Sequence, residues 1–162
     1  MDSFSILMLA GFALACFIVA TTAAVFRPGA WYESLRKPWW RPPNWLFPPA
    51  WSALYVMIAV SGWMVWRERG FAGAALPLGV YGLQLFLNGL WSPIFFGMKR
   101  LDLAFYELIG LWLSILACIL LFMPISSTAG WLLVPYLGWV SFAGYLNYTV
   151  WQMNRDALTA SA

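Results

Sequence analysis

Charged residues cut this chain into long apolar stretches. No Asp, Glu, Lys or Arg occurs between Asp2 and Arg27, between Arg41 and Arg67, between Arg69 and Lys99, or between Glu107 and Arg155. A helix needs about 20 predominantly apolar residues to cross the hydrocarbon core of a bilayer. The first three stretches are each long enough for one such helix. The fourth is long enough for two, with a break at Met123-Pro124-Ile125-Ser126-Ser127-Thr128. The predicted spans are 5–26, 47–66, 76–97, 103–123 and 130–152. The expected fold class is thus all-α integral membrane: a five-transmembrane-helix bundle forming one domain, with a structured Trp/Pro-rich loop between helices 1 and 2.

That loop has its own pattern. From Trp31 to Trp51 it holds five of the 12 Trp, and six of the 10 Pro fall between Pro28 and Pro49. Each proline removes a backbone donor and pushes the residue before it toward extended geometry, so the stretch is not an ordinary helix. It is also too aromatic for a solvated linker, and Arg36, Lys37 and Arg41 stand among its rings. Rings with one polar edge collect with cations where hydrocarbon meets water. The loop reads as an amphipathic lid at the membrane interface, stiffened by proline so that ordering it costs little entropy.

Composition agrees with the spans: 63% of the residues are hydrophobic and 9% charged, against about 25% charged in soluble domains. An odd helix count puts the termini on opposite faces. Seven of the nine basic residues, Arg27, Arg36, Lys37, Arg41, Lys99, Arg100 and Arg155, share the side of the loop and the C-terminus, leaving Arg67 and Arg69 opposite. The positive-inside rule then predicts a cytoplasmic loop and C-terminus. The net charge of +3 follows from this asymmetry, and no basic patch dense enough for nucleic acid is present.

Within the third span, Ala75, Gly79, Gly82 and Gly89 gather on one face, interrupted by Phe86, while Gln84, Asn88, Trp91 and Phe95 gather opposite. A stripe of small residues in lipid allows tight helix contact, so Ala75, Gly79 and Gly82 are the predicted dimer interface. Gln84 and Asn88 need partners at that depth and should face the interior, Asn88 serving either an interhelical hydrogen bond or a ligand. In the fifth span Trp139, Ala143, Leu146 and Val150 share a face. With Trp51 and the stripe of the third span they could line an apolar chamber beneath the lid. Glu107 is expected to reach interfacial water or to pair with Lys99 or Arg100. Cys16 and Cys118 read as small apolar residues inside helices. The chain has no His and no ligand-spaced Cys pair, which argues against a metal site and excludes haem held by axial His. An aromatic chamber with a cationic rim suits a flat apolar ligand bearing acidic groups, such as a porphyrin whose propionates meet Arg36, Lys37 or Arg41.

Three motifs carry a family resemblance: the run from Trp31-Tyr32-Glu33-Ser34-Leu35-Arg36-Lys37-Pro38-Trp39-Trp40-Arg41-Pro42-Pro43-Asn44 to Trp45; Pro77-Leu78-Gly79 through Gln84, Asn88 and Trp91 to Pro93-Ile94-Phe95-Phe96-Gly97; and Val134-Pro135-Tyr136-Leu137-Gly138-Trp139 through Leu146-Asn147-Tyr148. In order and over nearly the whole length, they resemble the tryptophan-rich sensory protein family, TspO, whose animal members are the translocator proteins or peripheral-type benzodiazepine receptors. The resemblance implies frequent homodimers in a bacterial cell membrane. It also implies a site under the first loop for protoporphyrin IX or related tetrapyrroles and for isoquinoline-carboxamide and benzodiazepine ligands, with no covalent cofactor. Carried onto matching positions, that site comprises Tyr32, Trp51, Asn88, Trp91, Trp139, Ala143 and Leu146, with Trp51 and Asn88 as donors to a ligand carbonyl. The family's proposed cholesterol motif needs a Lys or Arg closer to the aromatic residue than Arg155 is to Tyr148, which counts against a sterol site. The functional expectation is a tetrapyrrole-binding sensor or carrier. The alternative is an enzyme degrading porphyrin with light and oxygen, with Trp31 or Trp51 as redox partner.

Overall fold

A computed structural model of the protein describes residues 2–159 and is all-helical among them. Its elements are α1 (Ser3–Val25), a short α2 (Ala30–Ser34), a 3-10 turn (Asn44–Leu46), α3 (Phe47–Gly73), α4 (Ala75–Ser92), a π-helical turn (Pro93–Gly97), α5 (Leu101–Phe122) and α6 (Ser127–Thr159). Four helices are long and apolar enough to cross a membrane: Ser3–Val25, Asn44–Gly73, Leu101–Phe122 and Ser127–Asp156. The 18-residue α4 carries Gln84 and Asn88, which dilute its apolar character. The protein is an integral membrane protein.

Each predicted span coincides with a helix, with instructive differences at the ends. The expected link after 66 is absent. Arg67, Glu68 and Arg69 continue α3 out of the apolar zone, since all three are good helix formers. The chain turns at Gly70, whose φ of +65° lies in the left-handed region open to glycine, and Ala74 joins α3 to α4. The third span's last turn is π-helical, with Met98 N–H donating to Pro93 O at 2.8 Å. Pro48 and Pro49 sit in the first turn of α3, where helical donors have no partner to lose.

Helix α1 is the most exterior element. It buries Ser5 and Cys16, while Phe4, Ile6, Leu7, Leu14, Phe17 and Ile18 face outward, as lipid-facing side chains do. The main core lies among α3, α4, α5 and α6 around Ile58, Leu85, Ile115, Phe122, Leu133 and Tyr136. A second cluster beneath the first loop joins Tyr32 to Phe95, Leu101, Ala104, Leu146 and Val150. Polar side chains inside the bundle find partners there: Trp63 Nε1 donates to Ser5 O at 3.1 Å, Ser61 Oγ to Ala129 O at 2.7 Å, and Tyr81 Oη to Ile58 O at 3.0 Å. Both cysteines are buried free thiols.

Candidate functional site: an aromatic cavity beneath the first loop

Where the two clusters meet, the helices enclose a cavity of about 530 Å³. Helix α1 supplies Ala20, Thr22, Ala23 and Ala24; α3 supplies Phe47, Trp51 and Tyr55; α4 supplies Asn88, Trp91 and Ser92; α6 supplies Trp139, Ala143, Leu146 and Asn147. Tyr32 of α2 roofs it. All seven residues carried over from the family, Tyr32, Trp51, Asn88, Trp91, Trp139, Ala143 and Leu146, are thus brought together from four elements.

The rings are arranged as aromatic quadrupoles prefer, offset or edge-on. Trp91 stacks on Phe95 with centroids 4.7 Å apart, Phe47 meets Trp139 edge-on at 5.8 Å, and Trp51 lies against Tyr55 at 5.5 Å and Tyr136 at 6.2 Å. Polar groups form two short chains. In one, Tyr55 Oη donates to Asn88 Oδ1 at 2.7 Å, Asn88 Nδ2 donates to Tyr136 Oη at 2.7 Å, and Tyr136 Oη donates to Gln84 Oε1 at 2.9 Å. In the other, Trp91 Nε1 donates to Asn147 Oδ1 at 3.2 Å and Asn147 Nδ2 to Leu101 O at 2.9 Å. Asn88 serves the interhelical network with one amide hydrogen and keeps the second. Trp139 Nε1 is buried without a partner among the described residues.

The expected cationic rim is arranged differently. Arg36, Lys37 and Arg41 do not line the cavity; Arg27 does. Lys37 Nζ donates to the carbonyls of Glu33 and Leu35 at 3.0 and 2.9 Å and lies 4.8 Å over the Tyr32 ring. Arg41 Nη1 donates to Tyr32 Oη at 3.4 Å and Asn44 Oδ1 at 3.2 Å. These two cations hold the roof tyrosine, one over its face and one at its hydroxyl, and their donors are turned to the loop's own acceptors. Arg36 is tied through its backbone, its N–H and carbonyl each 2.9 Å from the Asn154 amide of α6.

Of the two proposed redox tryptophans, Trp51 lines the cavity and Trp31 packs edge-on against Phe95 at 6.2 Å. The small-residue face of α4 is divided. Ala75, Gly79 and Gly82 are exposed, and a Cβ on either glycine would meet nothing within 4 Å, whereas Gly89 touches Val19 and Thr22 of α1. Glu107 pairs with neither Lys99 nor Arg100. Arg100 instead grips Asp102 with two hydrogen bonds, 2.8 and 2.6 Å, and both Glu107 oxygens are buried without a partner among the described residues. Sequence reasoning passed over Tyr55 and Arg27. Tyr55 stands one helical turn after Trp51 and so shares its face, a spacing open to view. Arg27, the first charge after α1, gives no sign of its direction.

A model of the TspO/MBR family matches residues 8–152. The chain belongs to the TspO/MBR family. It is 44% identical over 154 residues to protein CrtK of Rhodobacter capsulatus, covering 93% of this chain and 94% of that protein. It is 41% identical over 151 residues to the tryptophan-rich sensory protein of Cereibacter sphaeroides, with the same coverage. The translocator protein of Bos taurus matches at 41% over 127 residues, 77% of this chain and 75% of that one. The TspO/MBR match spans every element from which the cavity is built.

Proposed function

We propose that this member of the TspO/MBR family is a membrane receptor, a sensor or carrier, for a flat apolar ligand with an acidic edge, of which protoporphyrin IX is the type. The observation that carries the reading is the cavity itself. Its size, about 530 Å³, falls inside the roughly 300–1,000 Å³ of small-molecule sites, and its wall is aromatic with few polar groups. Indoles and phenols from four elements offer faces to a macrocycle, and Arg27 offers a charge at the edge. Isoquinoline carboxamides and benzodiazepines fit the same composition, with Trp139 Nε1 and the second Asn88 hydrogen as donors for a carbonyl.

The bundle crosses the bilayer five times in this reading, α4 with its π-helical turn forming the remaining span. The loop and C-terminus are cytoplasmic in the same reading, which the excess of basic residues on their side supports. The open face of Ala75, Gly79 and Gly82 is the homodimer contact. A Leu side chain at Gly82 would hold two backbones apart, so Gly82→Leu is expected to reduce crosslinked dimer in bilayers while ligand affinity stays near that of the parent. Undiminished crosslinking takes α4 out of the interface.

Arg27 decides how an acidic ligand is seated. Arg27→Gln is expected to weaken protoporphyrin IX by roughly up to fivefold, the worth of one exposed charge pair, and to leave its dimethyl ester unaffected. Equal loss for acid and ester removes the charge from recognition. Trp51 in the lining favours the second reading, photo-oxidative degradation. Illumination of the bound porphyrin separates the two: a new product that disappears with Trp51→Phe marks an enzyme, and unchanged porphyrin marks a receptor.

A further inference from the structure

Helices α1 and α3 run antiparallel and are tightly joined at one end only. There Trp63 Nε1 donates to Ser5 O and Ser5 Oγ at 3.1 and 3.3 Å, the Phe4 and Trp66 rings lie 5.7 Å apart, and Gly62 leaves so little room that a Cβ would stand 2.9 Å from Phe12. Toward its other end α1 packs on α4 and on the π-helical turn that follows it. A Cβ on Gly89 would meet Val19 and Thr22 at 3.8 and 3.9 Å, and one on Gly97 would stand 2.9 Å from the Phe26 ring. Between this end of α1 and the start of α3 lies the cavity. Its border includes Ala23 and Ala24 of α1 on one side and Pro48 and Ser52 of α3 on the other, all four exposed. Both sides belong to helices able to cross a membrane, so this gap faces lipid.

The loop above is fastened by contrast. Asn154, buried in α6, holds Arg36 through two hydrogen bonds of 2.9 Å. Tyr32 is 7% exposed and wedged against Phe95 and Phe96 at 6.0 and 5.5 Å. Lifting this segment breaks those contacts at once, whereas the gap between α1 and α3 is bordered by small side chains and proline.

Resting on the ligand reading above, we propose that the cavity is filled from the bilayer, sideways through the gap between the C-terminal turns of α1 and the N-terminal turns of α3, by an amphiphile already dissolved in lipid. Arg27, just past the end of α1, stands where the acidic edge of such a molecule would ride among the headgroups while its apolar body slides inward. The ligand class is thereby narrowed to molecules that partition into membranes, and Ala23, Ala24, Pro48 and Ser52 set how thick a ligand may be.

The test uses the full-length protein in phosphatidylcholine vesicles preloaded with protoporphyrin IX, with binding and release followed by porphyrin emission. A bulky group in a passage slows entry. Ala24→Trp and Ser52→Trp are each expected to slow association by about tenfold; because both residues also border the cavity, the association rate and not the affinity is the quantity read. Leu14→Trp, on the outward face of α1 and outside the cavity wall, and Asn154→Ala should keep the parental association rate. Unchanged rates in the two Trp variants, or a loss of affinity without slower association, overturns the proposal. So does faster exchange in Asn154→Ala with no effect of the gap variants, which places the way in through the loop. If the parent binds no protoporphyrin IX, the tetrapyrrole reading fails by itself and the same rates are compared with an isoquinoline carboxamide; binding of neither overturns both.

Discussion

Ala143→Leu is expected to lower the affinity of every bulky ligand by roughly five- to 150-fold, the equivalent of about 1–3 kcal/mol of overpacking. Ala143 lines the cavity on α6, one turn from Trp139 and about one turn from Leu146. A leucine there adds three carbons to space a flat ring would fill, and the empty protein has room for them, so its thermal stability should hold. Asn88→Ala acts through another route. The amide joins Tyr55, Tyr136 and, through Tyr136, Gln84, so its loss strips partners from two hydroxyls even without ligand. Titrating protoporphyrin IX and a carboxamide against Trp fluorescence, with melting curves in parallel, distinguishes the two. If folded Ala143→Leu protein binds both ligands as the parent does, the α6 face is packing and the site lies elsewhere.

Gly62→Val is expected to cost about 3 kcal/mol of stability, the upper end of the usual overpacking cost. A Cβ at this position would stand 2.7 Å from Tyr81 Cζ and 2.9 Å from Phe12. Tyr81 cannot swing aside cheaply, being 3% exposed and holding Ile58 O through its hydroxyl. The valine methyls would force α1, α3 and α4 apart at their shared crossing. Thermal unfolding in detergent reads the loss, and the fraction that remains folded should bind ligand normally because Gly62 is not part of the cavity wall. A melting temperature equal to the parent's would mean that the Tyr81 ring is not held where it stands.

Much of this architecture was legible because charge is so sparse. The four uninterrupted stretches locate all the long helices, and the Trp and Pro of the first loop mark the roof. The seven predicted wall residues, carried over as a set from the family motifs, lie together; periodicity in α4 and α6 sorted the faces on which Asn88, Trp91, Trp139, Ala143 and Leu146 stand but did not by itself mark them as a site. Direction within the loop was not legible. Lys37 and Arg41 are bound to Tyr32 by contacts that spacing does not encode, and the cation that lines the cavity is Arg27. The extension of α3 to Gly73 was hidden by treating Arg67–Arg69 as an end, when charge marks departure from lipid and not from helix. The packing of α1 on α3 at one end and on α4 at the other depends on the close approaches at Gly62, Gly89 and Gly97, which one-dimensional patterns do not distinguish from other glycines.

The Asn154 amide reaches back across 118 positions to Arg36. During synthesis the first loop emerges long before its anchor does, and closing so distant a contact is entropically slow. The roof of the cavity can therefore be completed only after the last helix has been threaded into the membrane. A nascent or truncated chain carries most of the aromatic wall without the Asn154 anchor of its cover, and the order of assembly makes a finished cavity a mark of a completely inserted protein.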